Sequence, residues 1–241
     1  MPLVARSLAL NVMYNKTRAV FKNPKGYEHE LLSLCCITKT MMGWNLMKVA
    51  TVCRERCGGM GYLAIAKFAD YISMAHAAVT AEGDNRVLMT KIVKDYLTNV
   101  SKNGFKVPEP TLNAQVQIGT FTDVTTLEIM VDLFRFREKT LYHSLVNKMS
   151  TLTKEGKKTY EILMHQCSDL IQDLAMAYGE RNTIEECLVF LKGLKNAENL
   201  AVMTVAFQVF AIDILKQDLG FFMARGAISS VAAKHLIERQ N

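Results

Sequence analysis

The chain has 241 residues, 50% of them hydrophobic and 22% charged, with a formal net charge of +6, which is enough for one large domain or two small ones. Its Lys and Arg residues are scattered singly rather than gathered into a stripe, which disfavours nucleic acid as a partner. Its six cysteines show no C-x-x-C spacing, so neither a zinc module nor a disulfide framework is indicated and reduced, buried thiols are expected.

No run reaches the roughly 18 uninterrupted apolar residues of a membrane span. The N-terminus lacks a charged segment followed by an apolar one and a cleavage site, so a soluble intracellular protein is expected. Four prolines and a wealth of Leu, Met, Ala, Lys and Glu favour helix throughout, and the fold class predicted is all-α.

Pro2 suits a first helical turn, and Leu3 to Phe21 reads as a helix stopped by Asn23-Pro24-Lys25-Gly26. From Glu28 to Cys57, Leu31, Leu34, Cys35, Thr38, Met42, Val49 and Cys53 recur at steps of three and four, which predicts one long helix. After Tyr62 the chain reads as irregular, with a helical turn near Ile65 to Phe68 and then a loop or short helix through Met74 to Val79. His76, among alanines, reads as a core histidine without chemistry. A further helix is predicted from Arg86 to about Val100, on Met89, Val93, Leu97 and Val100.

Asn103 to Gly119 holds Gly104, Pro108, Pro110 and Gly119 with little periodicity, so residues 104–120 are read as a linker between a bundle over 1–103 and a second helical domain over 121–241. Beyond it lie three apolar stripes: Leu127, Val131, Phe134, Leu141 and Leu145; Leu163, Cys167, Leu170, Leu174 and Ala177; and Leu200, Phe207, Phe210 and Ile214. Such stripes are bundle core, and Phe207, Phe210, Phe221 and Phe222 need no other role. Ile228 to Ile237 closes with a short helix. The absence of a repeat of about 34 to 40 residues leaves a solenoid unsupported.

The stretch around which this is organised is Cys57-Gly58-Gly59-Met60-Gly61-Tyr62, followed by Ala81-Glu82-Gly83-Asp84-Asn85. Three glycines remove the Cβ atoms that keep a ligand's phosphates from the backbone, although a helix ending in glycine is also a common plain stop. Asp84 or Asn85 can cap the next helix, and Glu82 is either a solvated acid near that helix start or a functional carboxylate.

Together, C-G-G-x-G-Y and E-G-D-N opening a helix resemble the signature of the acyl-CoA oxidases, relatives of the acyl-CoA dehydrogenases. The long helical continuation after the signature is similar to the oxidases rather than the dehydrogenases. The resemblance implies an FAD-dependent enzyme of fatty-acid β-oxidation that converts fatty acyl-CoA to trans-2-enoyl-CoA, with molecular oxygen reduced to hydrogen peroxide. It implies Glu82 as the catalytic base for the α-proton, and Gly58, Gly59, Gly61 and Asn85 near the FAD, often that of a partner subunit. No metal is implied. A base for so weak an acid is expected to be partly desolvated, with a raised pKa.

The resemblance further implies a homodimer or a sister subunit and a peroxisomal location, although the C-terminal residues Arg239-Gln240-Asn241 are not of the S-K-L type. It covers only the later, helical part of the family's architecture. Independent activity and tight FAD binding are therefore not expected of this chain alone, and a non-catalytic helical remnant acting in subunit association is the alternative. Met60 stands where the family has histidine, and Arg86 where it has a small hydroxyl residue.

Overall fold

A computed structural model describes residues 1–111 and 126–238, and every regular element among them is helical. Helix α1, Pro2–Lys22, starts on its proline and turns Ala5, Ala9, Leu10, Val12, Met13 and Val20 inward. Helix α2, Leu31–Arg56, begins three residues after the expected start and buries Leu34, Ile37, Thr38 and Met41. Two short 3-10 turns, Gly58–Tyr62 and Ala64–Ala66, lead into α3, Phe68–Thr80.

The stretch read as a loop or short helix through Met74 to Val79 is helical, and α3 is longer than that reading, starting at Phe68. Phe68, Ile72, Ala75 and Val79 recur at steps of four, three and four and form its inward face, on which only Ala75 is fully buried, a period that the sequence reading passed over. His76 is exposed rather than a core residue. Helix α4, Asn85–Lys102, turns Met89, Ile92, Val93 and Tyr96 inward.

After residues 112–125 come α5, Leu127–Lys154; a short α turn, Thr159–Glu161; a π turn, Ile162–Gln166; and α6, Ser168–Gly193. Helices α7, Ala197–Gln217, α8, Leu219–Ala224, and α9, Ser230–Glu238, follow. Part of the expected linker, 112–120, lies outside the described residues. Helices from before and after it pack together, α1 on α6 and α7, and α4 on α6.

Among the described residues there are two apolar cores, and α6 runs through both. One gathers Ala9, Met130, Phe134, Ile184, Phe207, Phe210 and Phe222. The other gathers Leu34, Ile37, Met41, Met89, Ile92, Leu145, Ile171 and Leu174. Of the three predicted stripes, Leu200 is the residue that fails, being 38% exposed. Helix α7 has the length and mean hydropathy (1.5) of a spanning segment. Its Phe207, Phe210, Ala211, Ile214 and Leu215 lie in the core instead, as one face of a packed helix does. Of the cysteines, Cys36, Cys167 and Cys187 are buried, whereas Cys57 is exposed, so burial does not hold for every thiol.

Where the two cores meet along α5 and α6, charged residues take the inward positions. Arg181 bonds Glu138 at 2.8 Å and Glu185 at 2.8 Å, while Arg137 bridges Glu180 and Asp218. The Tyr96 hydroxyl donates to Glu138 at 2.8 Å, and burial together with Glu138 raises the Tyr96 pKa, keeping that proton in place. Ions this deep persist only when each has its partner.

Candidate functional site

Helix α2 carries the site from two ends. At its C-terminus the chain turns through Gly58, whose φ is +55°, into the 3-10 turn. A Cβ at Gly58 or Gly59 would meet nothing within 4 Å, so the backbone there is open to approach from outside. Gly61 differs: a Cβ there would stand 2.2 Å from the Arg54 carbonyl oxygen. Its bareness is required by the chain itself, which must pass close over the end of α2.

The second half of the motif joins α3 to α4. Thr80 ends α3, Ala81 is extended, and Glu82 adopts a left-handed backbone with φ of 59°, followed by Gly83 at 101°. A residue with a side chain in that region is uncommon and is held there by its surroundings. Asp84 caps α4, its carboxylate accepting from the amides of Arg86 at 2.9 Å and Val87 at 3.3 Å. This settles which of the two adjacent residues is the cap.

Asn85 does other work. It is fully buried; its amide nitrogen donates to the Thr40 carbonyl at 3.3 Å, and its amide oxygen accepts from Lys39 at 2.7 Å. Both ends of the side chain thus tie the turn to α2. Asn85 has no exposed surface among the described residues.

Glu82 lies at the rim of a cleft of about 620 Å³ between α1, α2 and α3, walled by Leu10, Met42, Leu46, Val49 and Ala78. Gly43 belongs to the same wall and lets α2 approach the Ala78 carbonyl, 3.4 Å from where its Cβ would stand. An apolar slot with one carboxylate at its mouth suits a ligand with an aliphatic tail and a polar reacting end. The Glu82 side chain is exposed, so the desolvation expected of a base is not supplied by the residues described.

The glycines and Glu82 are close in sequence but not in space. They sit at opposite ends of α3, whose 13 residues make about 20 Å of helix. Met60 is 63% exposed beside the glycines. Arg86 lies 5.1 Å over the Trp44 ring and donates to Gln172 at 3.3 Å, so it fastens α4 to α2 and α6. Sequence reasoning missed Lys39 and Thr40, because a lysine and a threonine inside a long helix carry no local mark of what they meet.

The comparisons with known proteins agree with this architecture. Residues 1–97 match the acyl-CoA oxidase C-alpha1 domain family, and residues 126–241 match the acyl-CoA oxidase family. The chain is 25% identical over 207 residues to the mouse acyl-coenzyme A oxidase-like protein, covering 80% of this chain and 32% of the mouse protein. It is 22% identical over 234 residues to the peroxisomal acyl-coenzyme A oxidase 3 of Arabidopsis thaliana, covering 90% and 34%. The chain therefore spans about a third of the length of these relatives. Its fold matches that of acyl-CoA oxidase-1 of Caenorhabditis elegans, a structure complexed with FAD and ATP, with a TM-score of 0.76 at 16% identity, covering 98% of this chain and 38% of the other.

Proposed function

The chain belongs to the acyl-CoA oxidase family, and from that membership we propose that it forms the helical side of an FAD-dependent site that oxidises fatty acyl-CoA in the peroxisome. The observation that carries the reading is Glu82 at the mouth of an apolar cleft. An aliphatic chain occupies the cleft, and the thioester end meets the carboxylate at its rim.

In this reading Glu82 takes the α-proton of the thioester, and its carboxylate becomes the carboxylic acid as the α–β double bond forms. A bound FAD would supply the acceptor for the β-hydride and pass the electron pair to molecular oxygen, giving hydrogen peroxide. Gly58 and Gly59 fit such a group in one respect: space is open where their Cβ atoms would stand, so backbone can approach a pyrophosphate. Their distance from Glu82 along α3 accords with their serving a dinucleotide held by a second subunit. Glu82 is exposed and still needs a cover that excludes water, so the 241 residues alone are not expected to turn over substrate.

The test uses this chain complemented with the flavin- and CoA-binding domains of an acyl-CoA oxidase. Glu82→Gln keeps size and shape, and turnover should fall about 10²–10⁴-fold while flavin content stays level. Peroxide production at the original rate and pH profile would overturn the reading.

A second reading, a non-catalytic helical protein that associates with a partner or a second copy, has its own support. Tyr62 is 84% exposed, Ile65 81%, Tyr71 51% and Met74 55%, an apolar surface of the kind proteins cover by association. A compact monomer in sedimentation, with no apolar-dye binding, would remove that support.

A further inference from the structure

Lys39 projects from α2 to the turn that carries Glu82, and its ammonium makes three hydrogen bonds there. It donates to the Gly83 carbonyl at 2.6 Å, to the Asn85 amide oxygen at 2.7 Å and to the Val79 carbonyl at 3.3 Å. The three acceptors lie on both sides of Glu82 in the chain. One belongs to the last turn of α3, one follows Glu82 directly, and one begins α4.

An ammonium is suited to this role for physical reasons. The C-terminal end of α3 carries unsatisfied carbonyls and a partial negative charge, which a cation neutralises. An ammonium directs three donors outward from one point, whereas a guanidinium holds its donors in a plane. The Glu82 backbone is left-handed, a conformation that persists only when neighbouring contacts over-determine it. The Lys39 bonds on either side of it, together with the Asn85 amide on Thr40, meet that requirement.

We propose that Lys39 is the positioning residue of this site: by clamping the carbonyls before and after Glu82, it fixes the left-handed turn and so determines where the carboxylate stands at the mouth of the cleft. Lys39 does not take the proton; it acts through Glu82. The inference rests on the reading of Glu82 as the base, and its test is arranged so that the two can fail separately.

The first measurement is made on the 241-residue chain without cofactor or substrate. Lys39→Met keeps the aliphatic stem and removes the three donors. Amide hydrogen exchange at Ala81, Arg86, Val87 and Leu88, the amides around the turn that have acceptors, should quicken about tenfold or more, while exchange in α5 and α6 stays unchanged, because only the local opening is made easier. Unchanged exchange across the turn would overturn the clamp whatever Glu82 does. Should Lys39→Met fail to fold, Lys39→Arg keeps the cation at the end of α3 with the wrong donor geometry, and the same local quickening is expected of it.

The second measurement is made on the complemented oxidase. Lys39→Met should lower kcat by about 10²-fold with the KM for acyl-CoA nearly unchanged, since a small misplacement of the base costs that much. On top of Glu82→Gln it should add almost nothing, as residues acting as one unit are not additive. A full additive loss, or a loss confined to KM, would overturn the positioning role. If Glu82→Gln alone retains turnover, the base assignment is wrong, and quickened exchange in the turn would then show that the clamp holds a turn without catalytic purpose.

Discussion

Gly61 passes so close beneath Arg54 that a Cβ on the glycine would lie 2.2 Å from the arginine carbonyl oxygen. Gly61→Ala must therefore lift the 3-10 turn off α2 and is expected to destabilise the chain by about 1–3 kcal/mol. Gly59→Ala, with open space around it, should change stability by less than about 0.5 kcal/mol. Denaturant titrations of the two variants check the contrast, and equal losses would contradict it.

Asp84 and Asn85 are adjacent but face different environments, and their alanine variants should differ accordingly. Asp84→Ala removes a cap with two amide contacts and should cost about 1 kcal/mol, most of it restored by Asp84→Asn. Asn85→Ala leaves Lys39 short of an acceptor and the Thr40 carbonyl short of a donor. It should cost about 1–3 kcal/mol. Thermal unfolding of the three variants, fitted as one transition, gives the comparison.

Gly179 is where α6 crosses α2: a Cβ there would lie 2.4 Å from Cγ1 of Ile37 and 2.6 Å from the Met41 sulfur. Gly179→Ala should destabilise by about 1–3 kcal/mol through overpacking. Gly193, also in α6, has nothing within 4 Å of its Cβ position. Gly193→Ala should be neutral or stabilise by up to about 1 kcal/mol through helix propensity. A loss at Gly193 matching that at Gly179 would show that the crossing is not what matters.

The buried pair of Glu138 and Arg181, with side chains 0% and 7% exposed, should not tolerate the loss of one member. Arg181→Met is expected to cost about 3–5 kcal/mol, because it leaves Glu138 buried without its cation. Arg181→Met combined with Glu138→Leu should recover part of that loss. A double variant as unstable as the two single losses summed would contradict the coupling.

Acid should weaken the fold partly through Glu185. Burial pushes this carboxyl up, but Arg181 and Arg135 outweigh burial and hold it below its ordinary value of 4.5. Its folded pKa is thus lower than its unfolded one. The stability it contributes is complete above the unfolded value and is lost as pH falls through the folded value. Below about pH 4.5, Glu185→Gln should therefore show a shallower decline than the parent chain. Parallel curves in denaturant titrations across that window would contradict this.

Much of the architecture follows from local signals. Pro2, the Asn23-Pro24 turn, the apolar periods and the capping residues before Arg86 are each read by residues within a turn or two, and these set α1, α2 and α4 to within about three residues at each end, while the stripe from Leu127 to Leu145 marked the core face of α5. The same locality placed Glu82 just ahead of a helix start. Helix α3 was read too short, because exposed Tyr71, Met74 and alanines on its other sides blur the inward face of Phe68, Ile72, Ala75 and Val79. Nothing in the sequence marks Arg137, Glu138, Glu180 and Arg181 as buried, because charge normally seeks water. Only the meeting of α5 and α6 supplied each with a buried counter-charge. Tertiary packing alone brought Lys39 to the Glu82 turn, more than forty positions along the chain. It also set Glu82 apart from the glycines, because the straight length of α3 stands between them and distance along a sequence carries no direction in space.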